Sequence, residues 1–313
     1  MNISDILLGA AIIIAAPAVN RVGEAKAQQI HPDQVVVDSP FVHDPVLAYE
    51  NGKYYLYSTG HGISQMTSAD RKHWTLCREG VLKNHEIPAW THDSVPGFHT
   101  HIWAPDVIHY RNKWYLAYSC STFGKNTSAI GLLSNTSLAN MNGWKDEGCI
   151  LASEGKRDNW NAIDPNFVID DKGNPWMTWG SFWDGIQLVK LDKKTMHVKK
   201  GAKPQTIARR HAFGDASAEL NPTSKFAGTN AIEAPFIMKH GGYYYLFVSW
   251  DYCCRGIKSN YRVAVGRSRK VAGPYLDKEG RDMRNGGGTL LLEGDKKEYE
   301  AMGHCSAYSF PDG

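Results

Sequence analysis

Three carboxylates in this chain stand beside a proline at the entrance to a strand-like stretch. They are Asp44 in Val42-His43-Asp44-Pro45, Asp164 in Ile163-Asp164-Pro165, and Glu233 in Ile232-Glu233-Ala234-Pro235. A single aspartate before a proline is ordinarily a turn residue that bonds nearby backbone. Three acids at matching places in three repeats are different, because repetition about an axis brings matching positions together. Like charges in one cavity raise one another's pKa. That keeps one carboxyl protonated near neutral pH while a second stays ionised. Such a pair suits hydrolysis of a glycosidic bond, where the acid protonates the leaving oxygen and the base activates water or attacks. Trp103-Ala104-Pro105-Asp106 repeats the proline position with an indole beside it, and Met302-Gly303-His304 offers an imidazole at a fifth.

The elements that must position these groups follow one grammar. After each motif comes a short strand, a polar turn (ENGK, RNK, DDKGN, KHGG) and a second strand rich in Tyr and Trp. A variable loop leads to a third strand, such as AIGLLSN, IQLVKLD or YRVAVGRS, and then to a final segment. The period is about 60 to 70 residues, and helical periodicity is absent over any long window. Four short antiparallel strands per unit, repeated radially, describe a β-propeller blade whose first strand lines the central channel. The expected fold is therefore all-β, a five-bladed β-propeller. In the fifth unit CSAYSF leads into Pro311-Asp312-Gly313, a turn signal, with no returning strand. The expectation is a last blade truncated at its first hairpin, with residues 33–39 supplying its outer strand.

Composition narrows the class. With 313 residues, 42% of them hydrophobic and 21% charged, the chain suits one large globular domain. The formal charge of +3 is small and scattered, which argues against nucleic acid and is compatible with a neutral substrate. Ten Trp and 15 Tyr suit half-buried strands and also sugar stacking. The apolar run 6–19 is too short to span a bilayer comfortably. Ala25-Lys26-Ala27 follows it as a small-x-small cleavage site, although the start carries Asp5 and no Lys or Arg. Residues 1–27 thus read as a signal peptide, giving a secreted or periplasmic protein with a catalytic propeller over 28–313. The six cysteines match no zinc spacing. They read as buried free thiols, with any pairing left open.

Seven segments carry a family resemblance: VHDPV (42–46), HIWAPDV (101–107), NAIDPNF (161–167), GSFWDG (180–185), AIEAPF (231–236), SWDYCCRGIKSNYRVAVGRS (249–268) and MGHCSAY (302–308). In these the chain resembles glycoside hydrolase family 43, and within it the endo-acting arabinanases. The resemblance implies an inverting hydrolase cutting internal α-1,5 linkages of arabinan. Asp44 would be the general base, Glu233 the general acid, and Asp164 the residue that tunes Glu233 and orients the sugar. An inverting pair stands about 6.5–9.5 Å apart to admit water. The resemblance also implies calcium held by His304, largely through water, although the preceding loop departs from the family's Gly-Pro-Gly-His. Substrate contacts would fall to Trp103, Gly124, Asn161, Ala162, Ile163, Ser181, Phe182 and Trp183. The expected partners are arabinan or arabino-oligosaccharides, with no membrane span and a monomeric state. An exo-acting arabinofuranosidase or β-xylosidase of the same fold, and a non-catalytic carbohydrate-binding propeller, are the alternatives.

Overall fold

The computed structural model describes residues 34–211 and 229–310. Its described residues form four antiparallel sheets arranged as in a propeller. The first contains β1 (Gln34–Val37), β2 (Val46–Glu50), β3 (Lys53–Ser58), β5 (Ser64–Ser68) and β6 (Trp74–Cys77), in the order β1-β6-β5-β3-β2. A two-residue strand, β4 (Gly60–His61), leaves it to pair with the next sheet. That second sheet runs β7 (His101–Tyr110), β8 (Lys113–Cys120), β9 (Ser128–Asn135) and β10 (Lys145–Ser153). The third has β11 (Asn166–Ile169), β12 (Pro175–Trp179), β13 (Ile186–Lys190) and β14 (Gln205–Ala208). The fourth has β15 (Ile232–His240), β16 (Tyr243–Trp250), β17 (Arg262–Ser268) and β18 (Thr289–Glu293).

The cores lie between neighbouring sheets, and strand alternation builds them. Along β8, Trp114, Leu116 and Tyr118 pack toward Val46, Ala48, Tyr55 and Tyr57 of the first sheet. The alternate residues Tyr115 and Ala117 pack toward Phe167, Met177 and Trp179 of the third. Successive strand residues point to opposite faces, so a strand sandwiched between two sheets is buried on both, as β8 is from Trp114 to Cys120. Val168, Ile186 and Leu188 meet Ile237, Leu246 and Val248 in the same way between the third and fourth sheets.

A corner of positive φ stands just before β2 and β11, lies within β7 and β15, and recurs once more at residue 304. The corner residues are Asp44 (55°), Ala104 (41°), Asp164 (56°), Ala234 (52°) and His304 (45°). They fall sixty, sixty, seventy and seventy residues apart. Proline follows the first four and cysteine the fifth. Among the described residues after His304 there is no strand, but the segment 305–310 occupies a matching place. Cys305, Ala307 and Tyr308 pack on Phe236, Tyr245 and Phe247 of the fourth sheet. Phe310 packs on the first sheet, against Tyr54 and Trp74. The Ser306 hydroxyl donates to Pro45 O (2.9 Å), and Leu47 N–H donates to Tyr308 Oη (3.0 Å).

Two expectations are corrected here. β1 does not serve the end of the chain: it pairs with β6 and forms the outer edge of the first sheet, from Gln34 opposite Cys77 to Val37 opposite Trp74. The exposed edge of β6 lies nearby in sequence, so that pairing closes without a partner blade. Nor are the cysteines uniformly buried. All six are free; Cys120 is buried, Cys254 is exposed and the rest are intermediate. The signal-peptide expectation for 1–27 and the turn at 311–313 lie outside the described residues. Among the described residues no helix is long and apolar enough to cross a membrane.

Side chains also tie one inner strand to the next. Asp106 Oδ2 accepts Phe167 N–H (2.7 Å) and the Asn166 side-chain amide (3.2 Å). Asn166 Oδ1 in turn accepts Ile237 N–H (2.8 Å). Burial pushes the Asp106 carboxyl up to about 7, against the pull of these donors. Asp106→Ala should lower unfolding stability by roughly 1–3 kcal/mol, since it strands a buried N–H. Asp106→Asn keeps a carbonyl acceptor and should recover most of the loss in urea melts.

Candidate active site

The corners bring the acids of separate blades to one imidazole. His304 Nδ1 donates to Asp44 Oδ1 at 2.9 Å, and the ring lies within electrostatic reach of Asp164 and Glu233. Burial pushes the imidazole's pKa down, but Asp44, Asp164 and Glu233 outweigh it and lift it to about 9. His304 is therefore cationic at neutral pH.

Asp44 is 8% exposed and accepts from three side chains. Oδ2 accepts from the Thr59 hydroxyl and from His43 Nδ1 (2.7 Å), while Oδ1 faces His304. Burial alone would raise its pKa; the His304 and His43 rings outweigh it and hold the carboxyl well below the usual range. His43 continues outward, with Nε2 3.7 Å from Cys254 Sγ.

Asp164 and Glu233 behave oppositely. Burial, then Glu233 and Asp44 nearby, push Asp164 up to about 8, with His304 acting against them. Its Oδ2 accepts Ala234 N–H at 3.1 Å, a fixed link to the strand that carries Glu233. Glu233 accepts from Ser181 Oγ on Oε2 and from Tyr261 Oη on Oε1, both at 2.7 Å. Burial raises its pKa above the ordinary value despite these two donors. Glu233 and Asp164 interact, so the two titrate as a pair.

Glu233 is not in the same register as the aspartates. Asp44 and Asp164 occupy the corner itself, whereas Glu233 stands one residue earlier and Ala234 takes the corner. Trp103 holds the same earlier place in the second sheet. In both sheets the ladder skips across the corner, pairing Trp103 with Ser119 and then Asp106 with Ala117, and Glu233 with Ser249 and then Phe236 with Phe247. Such a bulge re-aims the side chains beside it.

Hydroxyls opposite the corners form a relay that sequence reasoning missed. Thr59 Oγ1 accepts Ala104 N–H (2.8 Å), Ser119 Oγ accepts Asp164 N–H (3.0 Å), and Ser249 Oγ accepts His304 N–H (2.7 Å). Each hydroxyl holds the corner of the following unit. The third sheet has Gly180 at this position: its N–H bonds Ile163 O as Thr59 N–H bonds His43 O. A side chain there would strike Gly185 O, and Asp164's own carboxylate takes Ala234 N–H instead. The available signal was a Ser or Thr closing each aromatic second strand (YYLYST, YLAYS, YLFVS).

The other expected substrate contacts are scattered in accessibility. Trp103 and Phe182 are half-exposed, and Phe182 packs on Tyr252 with ring centres 5.7 Å apart. Ser181 bonds Glu233 directly. Asn161, Ala162, Ile163 and Trp183 are buried, with Asn161 Oδ1 accepting from Ser128 and Ala162 N–H donating to Ser153. Gly124 lies in the loop after β8 at φ 74°; a Cβ there meets open space, so its conformation and not a protein clash calls for glycine. The surroundings of His304 do not fit a protein cage for calcium. That ion seeks six to eight oxygens, and among the described residues no three His, Cys, Asp or Glu side chains converge to hold a metal. The ring's Nδ1 is already engaged by Asp44.

A model of the family described as Glycosyl hydrolases family 43 matches residues 34–313. An extracellular exo-α-(1→5)-L-arabinofuranosidase of Cellvibrio japonicus is 44% identical over 272 residues, 86% of this chain and 76% of that protein. An extracellular endo-α-(1→5)-L-arabinanase of Bacillus subtilis is 42% identical over 258 residues, 81% of this chain and 73% of that protein. Among solved structures, an exo-1,5-α-L-arabinanase from a bovine ruminal metagenomic library superposes with a TM-score of 0.78 at 52% identity, covering 88% of this chain and 86% of that one.

Thr59 bridges the Asp44 carboxylate and the next corner, so it tests whether the relay positions the site. Thr59→Val should lower kcat about tenfold with little change in KM, the cost of roughly one charge-assisted hydrogen bond. Thr59→Ser, which restores the hydroxyl found at positions 119 and 249, should return most of the activity.

Proposed function

The chain belongs to glycosyl hydrolases family 43, and from that premise we propose that it cleaves internal α-1,5-L-arabinofuranosyl bonds of arabinan with inversion. The observation that carries this reading is the unlike setting of two buried carboxyls around one corner: Asp44 is bonded by the His43 and His304 rings, whereas Glu233 is bonded by the Ser181 and Tyr261 hydroxyls. In this mechanism Asp44 takes a proton from water as that water attacks the anomeric carbon. Glu233 gives its proton to the departing oxygen in the same displacement, and no covalent intermediate forms. Asp164 keeps Glu233 protonated to higher pH by sharing its cavity, and holds Ala234 beside it. Trp103 and Phe182, half-exposed at the corners and loops that carry the acids, supply faces for sugar rings. No step is routed through a metal.

The relatives named above are called extracellular, which supports export, with residues 1–27 as its signal. We read the ring as five-fold, because the His304 corner continues the spacing of the other four and its segment bridges the fourth and first sheets. Exo action is the second reading, favoured by the names of the Cellvibrio japonicus relative and the ruminal structure. Sizing the products of linear arabinan separates the two: a ladder of oligosaccharides marks endo cleavage, and one short product from the outset marks exo cleavage.

Two substitutions test the roles. Glu233→Ala should abolish hydrolysis of arabinan while leaving binding of arabino-oligosaccharides measurable by calorimetry; retained turnover would remove Glu233 as the acid. Because Asp164 keeps its proton until about pH 8, Asp164→Asn removes a like charge from beside Glu233 only above that pH. The alkaline limb of kcat/KM should therefore hold its place below about pH 8. Only above it should the limb fall more steeply in the variant, which lacks the charged Asp164 that holds the proton on Glu233 in the wild type.

A further inference from the structure

Glu233 alone does not explain how the acid is held relative to the base, since the two come from the fourth and first sheets. The side chain between them is Tyr261, immediately before β17. Its hydroxyl donates to Glu233 Oε1 at 2.7 Å. Its carbonyl accepts Met302 N–H at 2.9 Å. Its ring packs so closely on Gly303 that any Cβ there would run into the ring edge. Gly303 precedes His304, which bonds Asp44. The ring is 7% exposed and so cannot swing away without opening this contact.

We propose that Tyr261 is a positioning residue of the general acid, its hydroxyl fixing Glu233 while its ring fixes the His304 corner that holds Asp44. The inference rests on the acid and base roles assigned above. Each carboxyl oxygen of Glu233 has one of its two acceptor sites taken, by Ser181 or by Tyr261, leaving a site for the proton that the acid donates to the sugar oxygen. Burial, with Glu233 and Asp164 nearby, holds the phenol's pKa well above its ordinary value. It therefore stays a donor throughout the working range. Its bond to Glu233 is worth most when the proton has left and the carboxylate carries full charge, because charge-assisted bonds are the stronger ones. An interaction stronger in the transition state than in the ground state appears in kcat and not in KM.

Tyr261→Phe keeps the ring against Gly303 and removes only the donor. The groups that face Glu233 are the Ser181 and Tyr261 hydroxyls, the His304 ring, the Asp44 and Asp164 carboxyls and the Cys253 thiol. Losing a donor to the carboxylate raises the acid's pKa, so the alkaline limb of kcat/KM on linear arabinan should move up by about one pH unit. The plateau kcat should fall about tenfold with KM unchanged. Replacing Tyr261 with 3,5-difluorotyrosine, a stronger donor of the same shape, should move the limb downward. A limb unmoved by both changes overturns the proposal, even if activity drops. Should the Phe variant fail to fold, the difluorotyrosine enzyme still decides the matter.

Glu233→Ala, assayed in parallel, guards the premise. On an arabino-oligosaccharide with a nitrophenyl leaving group, which needs little protonation, Glu233→Ala should lose far less than on arabinan. Equal losses on both substrates would overturn the acid role and this inference with it. An acid-like Glu233→Ala profile beside an unmoved limb in the Tyr261 variants would overturn this inference alone.

Discussion

The site depends on a backbone corner. A non-glycine residue at positive φ costs about 1–2 kcal/mol, and a following proline further biases its predecessor toward extended conformations. Four of the five corners carry both burdens. They persist because each is held from outside its own strand, the Asp44 corner through its carboxylate by His304 and the other four through their N–H. Thr59, Ser119 and Ser249 each accept the N–H of the next corner, and Asp164 does so where Gly180 has no side chain. Strain of this kind survives only where the surroundings over-determine it. Here the surroundings are always the neighbouring unit, so site geometry and inter-sheet packing are one property. Asp164 is where the two merge, since the same carboxylate completes the relay and lies close enough to Glu233 to have its own pKa raised by it, after burial.

From near-identical frames the molecule makes unlike chemical groups. A perfect repeat would give every acid the same environment and so the same pKa. Two departures break that equality. Glu233 sits one place before its corner, where the ladder bulge turns it toward Ser181 and Tyr261. Asp44 sits on its corner between two imidazoles. The first carboxyl meets neutral hydroxyls and stays easy to protonate; the second meets cations and stays ionised. His304 mediates between them, because it occupies the corner that would otherwise bear another acid or alanine. Its charge is sustained by the carboxylates it faces, and in turn decides which of them keeps its negative charge.

Much of this was legible in the chain because it repeats. The acids, the prolines, the aromatic second strands and the approximate period all stand in plain sequence, and with them the all-β propeller architecture. The corner conformation was hidden, since alanine, aspartate and histidine carry no mark of positive φ. So was the one-residue offset of Glu233, which looks like loose spacing until the ladder is seen to bulge. Thr59, Ser119 and Ser249 were passed over because a hydroxyl at a strand end is ordinary in any β protein; only their common recipient makes them a set. Residues 33–39 were assigned to the wrong sheet because antiparallel pairing has no address in a short valine run, and β1 pairs with β6 instead.

Burial separates the residues expected to meet substrate. Asn161, Ala162, Ile163 and Trp183 flank loops that pass close to the acids, so they share the motifs of the site. Yet the third unit spends them on its own packing: Asn161 on Ser128, Ala162 on Ser153, and Trp183 through its carbonyl on Asn230. For Trp183 the turn begins at Gly180. Without a side chain there the loop can turn back sharply onto Gly185, and Phe182 and Trp183 adopt positive φ to make the turn. That turn directs Phe182 outward against Tyr252 and Trp183 inward. One glycine thus settles which of two adjacent aromatics reaches the surface, and also why Asp164 must hold the next corner itself.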